Sequence, residues 1–320
     1  MPQETNFEAI KAEILNRAKA AHACIEQYRR AYKSETLYEL CNVIKDNFHW
    51  SSNNKVITSD LLMQYREDFA QNDIFVNISI RSGFLLCDDA TVEACDDAIV
   101  EARGNATVKA CDNATVEARG NATVEACDNA TVKACGNATV KACGIVTVKA
   151  RSNATVEACD NATVKACGKA TVKACGNATV EARGNATVEA CDNAAVEAWG
   201  NITVEAWGNA TVEAHVIATV EVCGNATVEA WGNTTVKARD NATVEARDNA
   251  AVEAWGNATV KVRDNATVEA CGNATVEACD NAYCTSYYAI ECKLSDSAIY
   301  RERSTSAIYY SSDKINFIKK

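Results

Sequence analysis

The stretch DNATVEARGNATVEAC, Asp112–Cys127, is one eight-residue phrase written twice. Ala114, Val116 and Ala118 alternate with Thr115, Glu117 and Arg119, and Ala122, Val124 and Ala126 repeat the pattern. Alternation with period two fits a strand with one buried face and does not fit the 3.6-residue helical period. Asn113 and Asn121, preceded by Asp112 and Gly120, supply turn chemistry between the runs. Each octad therefore reads as one short strand and one corner.

Outward from this stretch the phrase continues from Ala90 to Ala282 without a change of length, with Val at every eighth position from Val92 to Val276. One such strand cannot bury its Ala-Val-Ala face alone. Stacked copies can, and fixed-period repetition is the signature of a solenoid. The variable slots indicate how many octads make a coil. Every sixteenth residue from Cys95 is again Cys, through Cys111, Cys127, Cys143, Cys159, Cys175 and Cys191. The interleaved set is Arg103, Arg119, Cys135, Arg151, Cys167, Arg183 and Trp199. Two residues before each thiol the charge alternates: Glu93, Lys109, Glu125, Lys141, Glu157, Lys173, Glu189. A sixteen-residue coil stacks these opposite charges on adjacent strands about 4.8 Å apart, which favours the pairing by a few tenths of a kcal/mol. The expected fold is mainly β: a β-solenoid of sixteen-residue, two-strand coils. About twelve coils would rise roughly 58 Å at that spacing.

The flanks differ. Residues 1–75 read as a helical N-terminal region, with Phe7, Ile10, Ile14, Ala18 and Ala21 near one face of a first long helix. Ser34 or Thr36 is placed to cap a second helix and Ser59 a third. Residues 76–89 alternate like a strand and hand over to the array at 90–282. In 283–320 large residues replace Val and Ala, among them Tyr283, Tyr287, Tyr288, Ile290, Leu294, Tyr300, Ile308, Tyr309 and Tyr310. This segment reads as an aromatic-rich C-terminal β cap over the open sheet edge.

A net charge of −11 argues against direct contact with nucleic acid or an anionic membrane. The array carries sixteen Glu and ten Asp against nine Lys and seven Arg. Its excess acid is several-fold sparser than the phosphates of a duplex, so it reads at most as a partial nucleic-acid mimic. No apolar run is long enough to cross a membrane as a helix, and the first residues lack the apolar core of a secretory signal. The expected location is the cytoplasm. Asn-Ala-Thr formally matches a glycosylation acceptor, but glycans at nearly every turn would leave neighbouring turns no room.

Catalysis needs different groups converging at one point, whereas a solenoid of like units gives parallel rows. There is no Gly-rich phosphate loop, nucleophile elbow or His-Glu-x-x-His pattern, and the three histidines are His22, His49 and His215. The thiol row lies within disulfide reach and could capture soft metals. Against that, Cys-x-x-Cys is absent and Arg and Trp occupy the same slot, so free thiols without a metal or cofactor are expected. The threonine row carries Glu or Lys on the same face, unlike an ice-binding plane. The locally unusual segment is 181–256: Glu181, Glu189, Glu197, Glu205, Glu213, Glu221 and Glu229 run without a Lys. Trp199, Trp207, Trp231 and Trp255 lie in the same stretch. Outward tryptophan beside uncompensated acid is the composition of a contact surface. Glu181, Glu197, Trp199, Glu205, Trp207, Glu213, Glu229, Trp231 and Trp255 form the candidate protein-contact set, with the helical N-terminal region as the other candidate for a partner.

The ATVEA octads, with ACIEQYRRAY (23–32), VIKDNF (43–48) and AIECKLSDSAIYR (289–301) on the flanks, resemble a group of bacterial and phage-associated octapeptide-repeat proteins. The resemblance covers essentially the whole chain. It implies the architecture and a bacterial or phage source, and it implies no activity. The expected function is that of a non-enzymatic structural scaffold or spacer. The alternative is an acidic, Trp-bearing decoy or inhibitor that binds a basic host protein.

Overall fold

The computed structural model describes residues 3–311 and 316–318, with side chains described over 6–311. Residues 1–2 of the expected helical region, and 312–315 and 319–320 of the expected cap, lie outside the described residues. The chain clusters into two compact units, Met1–Val148 and Lys149–Lys320.

The first unit begins with six described helices where three were expected: α1 (Gln3–Ala20), α2 (Ile25–Lys33), α3 (Leu37–Asp46), α4 (Phe48–Asn53), α5 (Ser59–Gln64) and α6 (Arg66–Ala70). The long first helix breaks at His22, which takes a φ of 54°, and α2 restarts from the extended Cys24. Ile10, Ile14 and Ala18 are buried as their spacing predicts, while Phe7 and Ala21 are only half-buried. Thr36 caps α3 by accepting from the Glu39 N–H at 3.3 Å. At α5 the cap is Thr58, not Ser59. Thr58 Oγ1 accepts from the Leu61 N–H, and the Ser59 hydroxyl instead donates to Asp88. Ile10, Leu40, Ile44, Phe48, Leu62 and Phe69 pack in one core with Ile74, Val76 and Leu86 from the first strands.

Ile74–Val76 pairs in parallel with Phe84–Asp88, which pairs with Ile99–Arg103. From there the octads alternate between two parallel sheets. In the first unit one sheet carries Ile99–Arg103, Thr115–Ala118 and Thr131–Ala134; the second carries Thr91–Ala94, Thr107–Ala110, Thr123–Ala126 and Thr139–Ala142. Each residue faces the one sixteen positions later, as in Val92 opposite Val108 and Glu93 opposite Lys109. The second unit repeats this register, with Val164 opposite Val180 in the first sheet and Val172 opposite Val188 in the second. The fold is a β-solenoid with sixteen-residue coils, as the alternating charges indicated.

Val108, Val116, Val172 and Val180 are fully buried, as are Ala110, Ala118, Ala174 and Ala182 in the second buried slot. Ala106, Ala114, Ala170 and Ala178 are buried as well, so each sheet lends the core three rows of small side chains, each buried Val contributing about 1.5–3 kcal/mol. The corner residue preceding Asn takes the left-handed conformation, at Asp112 with φ 55° and at Gly120 with φ 69°. This region is reached at little cost only by Gly, Asn and Asp. The Asn after it does more than turn the chain. Asn121 Nδ2 donates to Asn105 Oδ1 at 3.5 Å, and in the second unit Asn193 donates to Asn177 at 3.3 Å and Asn209 to Asn193 at 3.4 Å. Side-chain amide ladders therefore run along the corners. Among the described residues, no helix is long and apolar enough to cross a membrane.

The expected cap begins later than its sequence suggests. Tyr283–Ser286, Glu291–Leu294 and Ile299–Glu302 continue the parallel coils. Their cores take Cys284, Cys292, Leu294 and Tyr300 in place of Val and Ala. The buried Tyr300 hydroxyl meets Ser286 Oγ at 2.7 Å and accepts from the Ile290 N–H at 3.3 Å. The edge is then covered by antiparallel pairing: Ala307–Tyr310 runs back along Ile299–Glu302, and Asn316–Ile318 along Glu291–Leu294. An exposed edge strand is an aggregation template, and reversal of direction ends the ladder.

Candidate functional sites

The second unit does not bring the nine predicted contact residues onto one face. Glu181, Glu197, Glu213 and Glu229 are register neighbours on the first sheet, with Trp199 and Trp231 in the slot two residues on. Glu205 and Trp207 lie on the second sheet with Trp255. There Arg239 stands over the Trp255 ring at 5.6 Å and pairs with Glu221 at 3.2 Å, so that face is partly neutralised.

On the first sheet the arrangement is denser than the sequence suggested. The His215 ring stacks between Trp199 and Trp231, with centroids 3.9 and 4.5 Å apart and planes within 10°. Sixteen-residue spacing places these three rings on successive strands, so the coil itself builds the stack. Trp199 Nε1 donates to Glu197 at 2.6 Å. The acid row is anchored at both ends. Lys165 at 2.8 Å, helped by Arg183, holds the Glu181 carboxyl below its usual range, and Arg247 at 2.7 Å does the same at Glu245. Among the described residues, Glu197, Glu213 and Glu229 between them have no ion pair.

The corner beside this stack breaks every rule of the repeat. Val216 stands where Gly, Asp or Ser stands elsewhere and takes a φ of 76°, an outlier for a β-branched residue. Ile217 replaces the ladder Asn and is 55 % exposed. In the next coil Thr234 replaces Ala, is fully buried, and donates to the Trp231 carbonyl at 2.6 Å. Strain, exposed apolar side chains, stacked rings and unpaired acid thus coincide within adjacent coils. His215 was expected as a solvated substituent; it is a half-buried member of the stack.

A second cluster, in the first unit, was missed altogether. Glu101 and Glu117 are register neighbours, and both are buried. His49 on α4 places Nδ1 2.8 Å from Glu101 and 3.2 Å from Glu117. Arg103 Nε lies 3.5 Å from Glu101, and its guanidinium also reaches Ser52 and Asn53 of α4. Arg119 pairs with Glu117, while its Nε lies 3.3 Å from Glu101 without hydrogen-bond alignment. One imidazole and two carboxylates within 4.8 Å form a metal-ligand set in principle. Here two guanidiniums already neutralise the same carboxylates, so a dication would meet two fixed cations. The cluster fits a clasp between α4 and the first coils better than a metal centre. A signal was available in the sequence: Glu-Ala-Arg occurs at 101–103 and again at 117–119, sixteen residues apart, so a sixteen-residue coil stacks like charges there.

Cys175 is joined to Cys191 in a disulfide that the sequence reading did not expect, whereas Cys95, Cys111, Cys127 and Cys143 keep their thiols. No family model, curated protein or solved structure matches the chain.

Proposed function

We propose that this protein is a non-enzymatic scaffold or spacer, of bacterial or phage origin and cytoplasmic, that presents a repetitive rigid surface. The observation that carries this reading is the unchanged sixteen-residue register. It turns each side-chain type into a row along a sheet, whereas catalysis requires unlike groups converging on one reacting atom. Buried Ala and Val rows specify the coil, and the outward slots are free to vary. Coils are then interchangeable, and deleting one whole coil, residues 257–272, should leave a cooperatively folded protein with unchanged far-ultraviolet circular dichroism. A variant that no longer folds would count against an array of interchangeable units.

The stacked rings and unpaired acids favour a second reading, a decoy or docking protein for a basic partner. Three carboxylates about one strand spacing apart, beside aromatic faces, suit arginine side chains, which can pair and stack at once. Fluorescence anisotropy with a labelled arginine-rich peptide tests it. Glu197→Lys, Glu213→Lys and Glu229→Lys together should weaken binding by at least roughly tenfold, the scale of several lost charge contacts. Glu205→Lys with Glu221→Lys, on the other sheet, should leave it nearly unchanged. Equal losses from both sets would mean a diffuse charge effect without a face.

A further inference from the structure

The thiol slot looked promiscuous when all octads were taken together. The coil separates it by face. In the first unit the second sheet carries Cys95, Cys111, Cys127 and Cys143 on successive strands, whereas the same slot of the first sheet holds Arg103, Arg119 and Cys135. The parallel ladder extends through these residues. The Cys111 N–H donates to the Ala94 carbonyl at 3.0 Å, that of Cys127 to Ala110 at 2.9 Å, and that of Cys143 to Ala126 at 3.0 Å. The thiols are therefore held in register by backbone hydrogen bonds. Sγ of Cys127 lies 3.1 Å from Sγ of Cys111, and all four are half-buried within reach of solvent.

We propose that the Cys95–Cys111–Cys127–Cys143 row binds soft monovalent d10 cations of low coordination number, with copper(I) as the representative ion. A row differs chemically from a cage. Structural zinc requires four donors disposed tetrahedrally, and a line of sulphurs on a flat sheet offers each ion two neighbours along one direction. Thiolate donors at one strand spacing suit an ion content with two or three soft ligands. When rotamers match, adjacent sulphurs stand about 4.8 Å apart, and the convergent Cys111–Cys127 pair shows that they can also close up.

Charge balance fits. Two thiols and one copper(I) give a bridge of net charge −1 and release two protons. Lys109, Glu125 and Lys141 line the same groove as Cys127 and Cys143; Lys109 also pairs with Glu93 at 3.4 Å, so Lys141 is the ammonium group that offsets that charge. The Cys175–Cys191 disulfide shows the competing fate of an in-register pair. Forming one from two thiols needs a two-electron oxidant such as a peroxide, which a reducing compartment does not supply.

The test uses the full-length protein, reduced and kept anaerobic, titrated with copper(I) against a chromogenic copper(I) chelator. Expected are withdrawal of copper from the chelator, a thiolate-to-copper ultraviolet band and proton release. Replacing Cys95, Cys111, Cys127 and Cys143 by Ser should remove the copper bound there. Replacing Cys135, Cys167, Cys271 and Cys279 by Ser should leave that fraction intact. The single change Cys111→Ser, which interrupts the row with minimal risk to folding, should reduce uptake in the same sense. Failure of the wild type to compete, or equal losses from the two four-site variants, would overturn the proposal. So would tighter binding of zinc than of copper(I) at the row.

Discussion

Val164→Asp should abolish the cooperative unfolding transition of the unit Lys149–Lys320. Val164 is fully buried, faces Val180 in the next coil, and has only Ala162 and Ala166 as inward neighbours on its own strand. Val180, Ala162 and Ala166 are all apolar and offer a carboxyl no hydrogen-bond partner from their side chains. Aspartate there must either keep an unsolvated charge or protonate and still leave its carboxyl without a partner. The expected loss exceeds about 4 kcal/mol, a size reached only when a named core defect is created. Small side chains make matters worse, because Ala rows cannot rearrange to enclose water around the carboxylate. The outward slot provides the contrast: Cys159→Ser, at a half-exposed position, should shift stability by no more than about 0.5 kcal/mol. Urea melts followed by circular dichroism measure both. A Val164→Asp protein that melts like the wild type would mean that the Val row is not the core.

The two substitutions also mark what the sequence carried openly and what it concealed. Strand, corner and coil length were legible because each is local or strictly periodic. Ala-Val-Ala alternation gives the strand, Asp-Asn or Gly-Asn gives the left-handed corner, and Glu93 against Lys109 gives the sixteen-residue register. The asparagine ladder went unread because turn preference alone already accounts for Asn at a corner. In the helical region Thr58 and Ser59 are equally good caps in sequence, and only the pull of Asp88 on the Ser59 hydroxyl separates them. The contact set divides between two sheets for a similar reason. Period eight placed Glu205 and Trp207 beside Glu197 and Trp199 in the chain, yet consecutive octads belong to opposite sheets. Contacts between unlike segments leave no periodic trace, and His49 with Glu101 is such a contact.

That contact leads to the other large effect. Arg103→Met should destabilise the first unit by about 3–5 kcal/mol, the range for removing one partner from a buried ion pair. Glu101 and Glu117 are stacked like charges with almost no access to water, a pairing that parallel strands ordinarily avoid. Arg103 and Arg119 make it tolerable by matching two carboxylates with two guanidiniums. Arg103 is the more enclosed of the two, with its side chain 21 % exposed against 41 % for Arg119. It also ties the strand to Ser52 and Asn53 of α4. Removing it leaves Glu101 with His49 and a poorly aligned Arg119, and loosens the helix above. Hydrogen exchange should therefore rise first over α4. The double variant Glu101→Leu with Arg103→Met removes charge and counter-charge together and should recover much of the loss, because the penalty lies in the unpaired carboxylate more than in the missing bond. If the single variant is as stable as the wild type, the clasp does not hold α4 to the coils. If the double variant is no better than the single, Arg103 acts through packing of its aliphatic stem instead.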